Sequence, residues 1–354
     1  MIYFLTASKD ATLYSGDLNK NTGLDQIIEV SNLSGDIISN DISRAVIKFD
    51  ISNFQSMISS NQINPADVRL VLRETNTSMV PLEYQLHINP ISGSWEMGNG
   101  YLYEYVNNTG VSWKYRNVTN QTYWNTGQYT VSSTGSNLDG RGGVWYTNYT
   151  VSQSYSYMSS DLDVSIKNIF DGWLSGSIIN NGLLLQLAPT YEYSNSNIKL
   201  NFFSKETNTI YQPKLCIGWD DSIFNTGSLI PIVSDNIKVS VTNISEKYQS
   251  GNTYRFNVVG SELYPVKTFT NTFQYNIKKY LPINTYYQVR DLLSNVVIVP
   301  FSNFTKVSCD SAGNFIKLNL DSWQSNRKYK FEFKIGNDNI HYYNDNNNIF
   351  EIVK

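Results

Sequence analysis

The sequence predicts an all-β protein built from stacked sheets, and three observations carry this prediction. Short apolar runs bounded by polar or charged residues recur along the chain, for example at 67–74, 183–187 and 198–203. Turn-forming Gly and Asn separate such runs, as at 98–100 and 180–182. The composition is polar but weakly charged, with 16% charged residues, 14% aromatic residues and 26 Tyr. This composition favours strands and turns and argues against disorder.

The chain has 354 residues, enough for two or three domains. A polar stretch with turn signals and Pro231 marks a boundary near 220–232. We therefore predict a large, jelly-roll-like β-sandwich over 1–222. Short strand signals without helical periodicity continue beyond the boundary, which predicts a smaller immunoglobulin-like β-sandwich region over 232–354, of one or two units.

One segment of the first region has helical periodicity. Its apolar residues recur at the spacing of one helix face: Ile166, Ile169, Phe170, Trp173 and Leu174. Asp163 is a suitable cap before the segment and Gly176 a suitable end after it. We expect this single short helix to cover one end of the sandwich. The stretch 51–64, stopped by Pro65, is a candidate for a second short helix.

Charge and hydropathy exclude two classes of partner. The net charge is −3 with no basic run, so nucleic-acid binding is not expected. No apolar stretch reaches the roughly 18 residues of a membrane helix, so no membrane partner is expected either. The apolar start at 1–5 lacks a basic flank and is interpreted as a first strand rather than a secretory signal. We expect the protein to be made in a cytoplasm, with Cys216 and Cys309 as free thiols.

Residues that could carry a reaction are sparse, and we predict that the protein is not an enzyme. The two histidines, His87 and His341, lie in different predicted domains. A pair of acids such as Glu96 with Asp139 or Asp161 is the arrangement that glycoside hydrolysis needs. The stronger interpretation is that these are loop acids in turns or ion pairs.

No cofactor is expected, although one loop allows a calcium site. Asp36, Asn40 and Asp41, followed by Ser43, offer the hard oxygen ligands that calcium prefers. The spacing matches no fixed calcium loop, so an ordinary Asx-rich turn is the preferred interpretation.

Aromatic residues are concentrated between 95 and 146. The candidate carbohydrate or interface residues there are Trp95, Tyr101, Tyr103, Trp113, Trp124 and Trp145. In a sugar-binding module such rings stack on pyranose faces, and in an assembly protein they anchor interfaces. The preferred interpretation is that the tryptophans pack a long excursion of the chain onto the sandwich.

A spaced series of short motifs over about 1–220 resembles the large β-sandwich family called the DNRLRE domain, which is related to carbohydrate-binding modules. The series comprises Asp10 to Tyr14, Asn21-Thr22-Gly23, Arg44-Ala45 with Phe49-Asp50, Trp95 with Gly98 and Gly100, Gly110 with Trp113, Trp124, Gly142-Gly143, Phe170 with Trp173, Asn181-Gly182-Leu183, Phe203 to Glu206 and Pro213. Each motif alone is weak, and the specificity lies in their fixed order.

Together with motifs in the C-terminal region, the series resembles virion structural proteins of contractile-tailed bacteriophages. The C-terminal motifs are 286–292 with 299–301, 306–310, 315–320 and 327–330. The resemblance implies a non-enzymatic particle component and does not place it on the head, neck or tail. We expect a role in assembly or decoration at the neck, tail or capsid surface, with the protein made in host cytoplasm and present in the virion. Its implied partners are other virion proteins, further copies of itself in a symmetric array, and host glycans. The alternative is a carbohydrate-binding module of a cell-surface or polysaccharide-acting assembly.

Overall fold

The computed structural model describes residues 1–34, 40–59, 63–77, 80–103, 109–124, 134–136, 141–156, 161–195, 197–233, 236–264, 278–336, 341–343 and 348–354. The structure is 47% strand and 8% helix, which confirms the prediction of an all-β sandwich protein. The chain forms two compact units. One unit contains residues 5–216, and the other contains residues 1–4 and 217–354. The domain limits at 222 and 232 stay predictions, because a compact unit is not by itself an independently folding domain.

Within the described ranges, the first fifteen strands and three α-helices follow one another along the chain. In order these elements are β1 (Ile2–Thr6), β2 (Lys9–Tyr14), β3 (Ile27–Ser34), β4 (Asn40–Lys48), α1 (Ser52–Ser59), β5 (Asp67–Leu72), β6 (Glu83–Pro90), β7 (Tyr115–Asn117), β8 (Thr122–Tyr123), β9 (Thr134–Ser136), β10 (Val144–Tyr146), β11 (Val151–Ser156), β12 (Leu162–Ser165), α2 (Lys167–Ser175), β13 (Leu183–Leu187), α3 (Pro189–Glu192), β14 (Ile198–Phe203) and β15 (Lys214–Gly218). A single turn of 3₁₀ helix, Thr147–Tyr149, precedes β11.

Two sheets form the sandwich of the 5–216 unit. The larger sheet has the order β11-β6-β13-β4-β3-β14, with β2 also paired to β4, and the smaller contains β15, β5 and β12 in that order. Strand β13 lies between β6 and β4 and is buried along its whole length. A strand buried on both faces requires a continuous apolar run, which explains the three consecutive leucines 183–185.

Both edge strands of the larger sheet, β11 and β14, are hydrogen-bonded to segments of the smaller sheet. At one edge the Gln153 side chain of β11 donates to the Asp161 carbonyl at 3.1 Å and accepts the Asp163 N–H at 3.0 Å. At the other edge the Phe203 N–H of β14 donates to the Arg73 carbonyl, just after β5, at 3.1 Å. These bonds satisfy edge groups that would otherwise be available to another chain.

The predicted helix is α2, and its end is the one expected. Gly176 follows the helix with φ 74°, in the left-handed region that favours glycine. The buried positions are Ile169, Phe170, Gly172 and Trp173. The predicted cap was wrong: Asp163 belongs to β12, and the helix begins after Ile166 without a side-chain cap. Within 51–64 the helix α1 forms as predicted, whereas the four-residue α3 was missed.

The other unit contains twelve further strands in the part of the chain that the structure describes. They are β16 (Ile230–Pro231), β17 (Ile237–Thr242), β18 (Lys247–Gln249), β19 (Thr253–Glu262), β20 (Lys279–Tyr280), β21 (Thr285–Asp291), β22 (Val297–Val299), β23 (Ser308–Asp310), β24 (Gly313–Asn319), β25 (Arg327–Ile335), β26 (His341–Tyr343) and β27 (Ile349–Val353). One sheet has the order β17-β19-β24-β23, and the other β18-β27-β25-β21-β22 with β26 beside β25.

Aromatic rings fill the space between these two sheets. Phe256 of β19 lies 5.0 Å, between ring centroids, from Phe331 of β25 and 5.5 Å from Phe350 of β27. All three rings are nearly or completely buried. Because β19 belongs to one sheet and β25 and β27 to the other, these contacts make the unit a β-sandwich.

Candidate functional site

The aromatic excursion between β6 and β11 covers one face of the larger sheet of the 5–216 unit. Trp95, Trp113 and Trp124 are each only 3–4% exposed. They belong to one core cluster with sheet residues from β2, β4 and β13, which are Ala11, Leu13, Ile42, Val46 and Leu184. The three rings therefore act as the core of the excursion.

Hydrogen bonds fix two of these buried rings. The indole N–H of Trp95 donates to the Asn181 carbonyl at 2.8 Å, and that of Trp124 donates to the Ser112 carbonyl at 2.9 Å. The indole N–H groups and the apolar ring faces of Trp95 and Trp124 are therefore both in contact with other residues of the protein. In this conformation Trp95 and Trp124 present no ring face to a sugar or to another protein.

Trp113 and Trp145 flank a buried cation. The guanidinium carbon of Arg44 lies 5.1 Å from the Trp113 ring centroid and 5.4 Å from that of Trp145. Trp145 is half-buried, and Gly142 lies so close to Trp113 that an added Cβ would approach the indole to 2.8 Å. The candidate residues left with substantial exposure are Tyr101 and Tyr103, at 42% and 95%.

Tyr101 is positioned by three turns packed at backbone contact distance. An added Cβ on Gly98 would lie 2.4 Å from Asn21 Oδ1, and one on Gly110 would lie 2.3 Å from the Gly98 Cα. A Cβ on Gly23 would lie 2.4 Å from the Met97 carbonyl oxygen. Gly98 and Gly110 also have φ of 78° and 72°. Only glycine combines a positive φ with the absence of a Cβ atom at these close approaches, which explains why glycines recur in these motifs.

Hydrogen bonds then hold the chain on both sides of Tyr101. The Gly100 N–H donates to Asn21 Oδ1 at 2.9 Å, and the Leu24 N–H donates to the Gly100 carbonyl at 3.0 Å. On the far side the Leu102 N–H donates to the two Asp25 carboxylate oxygens at 3.2 and 3.1 Å. Tyr101 is therefore a partly exposed ring on a fixed backbone.

The ring lines an open pocket of about 440 Å³, which we call the Tyr101 pocket. Its lining residues are Leu24, Asp25, Gln26, Tyr101 and Glu206. The pocket combines one aromatic ring with two carboxylates and an amide, the groups that accept hydrogen bonds from hydroxyls while an aromatic face packs on an apolar surface.

The opposite wall of the Tyr101 pocket is the turn 204–206. The Ser204 hydroxyl donates to the Asp25 carbonyl at 2.5 Å, and the Ser204 N–H donates to the Gln26 carbonyl at 3.0 Å. The Glu206 carboxylate forms an ion pair with Lys205. Both walls are thus tied to the same short segment of chain before β3.

A buried carboxyl group supports this turn from below. Asp10 is 1% exposed, and its Oδ2 accepts the Lys205 N–H at 2.6 Å. Burial raises the pKa of Asp10 to about 7, against the lowering effects of the Lys205 N–H and ammonium, and with a further raising effect from Glu206. Asp10 therefore holds a proton over much of the mildly acidic range.

The residues named for calcium are only partly within the described chain. Asp36 lies outside it, Asn40 begins β4, and Asp41 is exposed with its carboxylate close to Gly16. In the described ranges, no three His, Cys, Asp or Glu side chains are grouped so that they could hold a metal ion. The calcium site stays a prediction.

The acids considered for glycoside hydrolysis are engaged in ion pairs. Glu96 pairs with Lys9 at 2.9 Å, and Asp161 pairs with Arg73 at 2.6 Å. Asp139 lies outside the described residues.

The remaining titratable candidates are the two histidines and the two cysteines. Burial lowers the pKa of His87, whose Nε2 lies 3.2 Å from Gln85 Oε1. The side chain of His341 lies outside the described part. Cys216 and Cys309 are free thiols, and burial raises the pKa of both.

Comparison with protein-family models gave no match to this chain, and comparison with curated proteins gave none. The resemblance to the DNRLRE family therefore depends on the motif residues alone and stays a prediction. Among the described residues, none of the helices has the length and apolar character needed to cross a membrane.

Sequence reasoning named Tyr101 but did not identify the other residues of its pocket. Glu206 is named there only as part of the 203–206 motif. The available signal was that Asn21-Thr22-Gly23, Gly98 and the 203–206 motif belong to one ordered series. In the structure, these three motifs lie around the Tyr101 pocket.

Proposed function

We propose that this protein is a non-enzymatic structural component of a contractile-tailed phage particle, acting in assembly or decoration of the neck, tail or capsid surface. One observation carries the proposal. Residues of the DNRLRE-like series, among them Asn21, Gly23, Gly98, Gly110 and Gly142, occupy the close contacts that hold the aromatic excursion to the sheet. This use of the motif residues supports a rigid scaffold whose exposed groups bind partners rather than transform substrates.

Within that function, the Tyr101 pocket is the surface that we propose for contact with host glycans. Its aromatic ring suits the apolar face of a pyranose, and Asp25, Gln26 and Glu206 provide acceptors for sugar hydroxyls. Because the local charge is acidic, neutral sugars and amino sugars are better ligands than carboxylated sugars.

Gradient-purified particles test the structural role. Peptides of this chain, quantified against the major capsid protein, are expected at a fixed ratio that survives a high-salt wash. A chain that is abundant in the lysate but missing from washed particles would end the proposal.

Binding of the full chain to host surface polysaccharide tests the glycan role. The Tyr101→Ala variant is expected to bind at least about tenfold more weakly, as loss of a central aromatic contact does at other binding sites. Tyr103→Ala is the matched control, because Tyr103 is more exposed and does not line the pocket. Equal binding by the two variants and the parent chain would exclude the Tyr101 pocket as the glycan site.

The same pocket favours one alternative function, a carbohydrate-binding module of a cell-surface or polysaccharide-acting assembly. The two experiments separate these functions. Tyr101-dependent glycan binding by a chain that is missing from particles supports the alternative.

A further inference from the structure

A second pocket lies within the unit formed by 1–4 and 217–354. It has a volume of about 420 Å³ and is lined by Tyr286, Phe301, Ser302, Asn303, Phe304 and Lys334. We call it the Lys334 pocket. Its size is within the range of small-molecule sites, and it brings three aromatic residues together with one cation.

One wall of the Lys334 pocket is a cross-strand pair. Tyr286 of β21 lies directly opposite Lys334 of β25 in the antiparallel register. Side chains at opposed positions project from the same face of a sheet, with Cβ atoms about 5 Å apart. The phenol ring and the ammonium group therefore share one surface, and both are half-buried.

The other wall is a turn held by a buried threonine. Thr305 is fully buried, its Oγ1 accepts the Ser302 N–H at 2.9 Å, and its N–H donates to the Ser302 carbonyl at 3.1 Å. The Tyr287 N–H of β21 donates to the Thr305 carbonyl at 2.9 Å. The turn carrying Phe301 and Phe304 is thus fixed to the strand that carries Tyr286.

Lys334 is the cation that lines this pocket, and no described carboxylate compensates its charge. Arg290 pairs with Glu332 at 3.1 Å, and Lys306 pairs with Asp220 at 3.2 Å. Glu332, two residues before Lys334 on the same strand, also accepts the Gln288 amide at 2.6 Å. The structure gives Lys334 no ion pair with any carboxylate in the described ranges.

Polar groups of the turn add hydrogen-bonding capacity. Ser302 Oγ accepts the Phe304 N–H at 3.2 Å, and within the described chain its own O–H has no acceptor. Asn303 is exposed beside it. A ligand for this surface needs an apolar ring face, hydroxyl groups and one negative charge.

We propose that the Lys334 pocket binds a carboxylated pyranose, such as the uronic acid residue of an acidic polysaccharide. The ammonium group of Lys334 forms a charge-assisted hydrogen bond with the carboxylate, and the Tyr286 and Phe304 rings pack against the sugar ring. Ser302 and Asn303 bind the hydroxyls. This site lies in a different unit from the Tyr101 pocket, prefers the opposite ligand charge and does not depend on the proposed particle role.

The test uses the full chain and two ligands that differ only in the carboxylate. Methyl glucuronide and methyl glucoside are titrated separately and followed by ligand-observed NMR. The glucuronide is expected to bind at least about tenfold more tightly at low salt, with a preference that falls as ionic strength rises.

Substitutions in the Lys334 pocket test whether the preference for the glucuronide arises there. Lys334→Gln is expected to abolish it, Lys334→Arg to retain it, and Tyr286→Ala to weaken both glycosides. Lys328→Gln is the matched control, since Lys328 is an exposed cation on the same strand outside the pocket. Tyr101→Ala is expected to leave glucuronide binding intact.

Several results overturn the proposal. These are equal binding of the two glycosides, binding of neither, or an unchanged preference in a folded Lys334→Gln variant. Tight binding of N-acetylalanine, a carboxylate without a sugar ring, would show that the pocket recognises peptide carboxylates instead. Should Lys334→Gln fail to fold, the comparison of the two glycosides on the parent chain still decides.

Discussion

Arg44 and Glu192 form a two-pronged ion pair inside the 5–216 unit. Arg44 Nε and Nη2 each donate to a different Glu192 carboxylate oxygen at 2.8 Å, and both residues are at most 2% exposed. Arg44 Nη1 donates to the Gly142 carbonyl at 2.8 Å. One guanidinium thus ties β4 to α3 and to the aromatic excursion, which makes it a structural cross-link of three elements.

Removing either partner of this pair should be costly, because the other charge is left buried and unpaired. Arg44→Met is expected to lower the free energy of unfolding by about 3–5 kcal/mol, measured by urea denaturation. The control is Arg69→Met, which breaks an exposed ion pair with Asp163 and should cost at most about 1 kcal/mol.

The double variant Arg44→Met with Glu192→Leu tests whether the unpaired Glu192 causes the loss of stability in Arg44→Met. It removes both buried charges, so it should recover much of the stability lost in Arg44→Met. A double variant as unstable as the single one would contradict the assignment of the loss to an unpaired Glu192.

The effect of close packing at Gly98 on stability can be measured separately from the effect of its left-handed backbone conformation. Gly98→Ala combines a positive φ with a Cβ placed 2.4 Å from Asn21 Oδ1, whereas Gly176→Ala has a similar φ with nothing within 4 Å. The Gly176 variant should lose about 1–2 kcal/mol, the cost of a left-handed conformation. The Gly98 variant should lose more and should weaken glycan binding at the Tyr101 pocket. Equal losses in thermal or urea unfolding would exclude the packing role of Gly98.

Protonation of Asp10 should make stability depend on pH. The pKa of Asp10 is about 7 in the folded protein, against about 3.9 for an unperturbed Asp. Because the pKa of Asp10 is higher in the folded than in the unfolded protein, its contribution to the free energy of unfolding is fully present below pH 4. This contribution is lost as the pH rises through 7, by up to about 4 kcal/mol.

The Asp10→Asn variant is the comparison for this effect. Its amide keeps an oxygen for the Lys205 N–H but cannot ionise. Relative to the parent chain, its free energy of unfolding should improve steadily between pH 4 and pH 8. A difference between the two proteins that does not change with pH would contradict the raised pKa of Asp10.

Much of the fold could be predicted because the determining signals are local. Helix α2 follows from apolar residues at helical spacing and from Gly176, and the buried strands follow from continuous apolar runs. The cap at Asp163 failed because strand pairing extends β12 through Ser165, next to the helix. Helix α3 has only four residues, starting at Pro189, and a segment this short shows no helical periodicity in the sequence.

The pockets could not be predicted to the same depth because they join distant parts of the chain. Composition singled out six aromatic residues between 95 and 145 but could not separate the buried Trp113 from the exposed Tyr101, since burial is set by tertiary packing. Glu206 reaches Tyr101 only through the turn held by Asp10. In the same way, Lys334 meets Tyr286 only through the register of β21 and β25.

Cryo-electron microscopy of the assembled phage particle is the strongest test of the proposed structural role. We expect repeated density, arranged with the symmetry of the capsid, neck or tail, into which both β-sandwich units of this chain fit. A complete particle map in which other chains explain all density would contradict it.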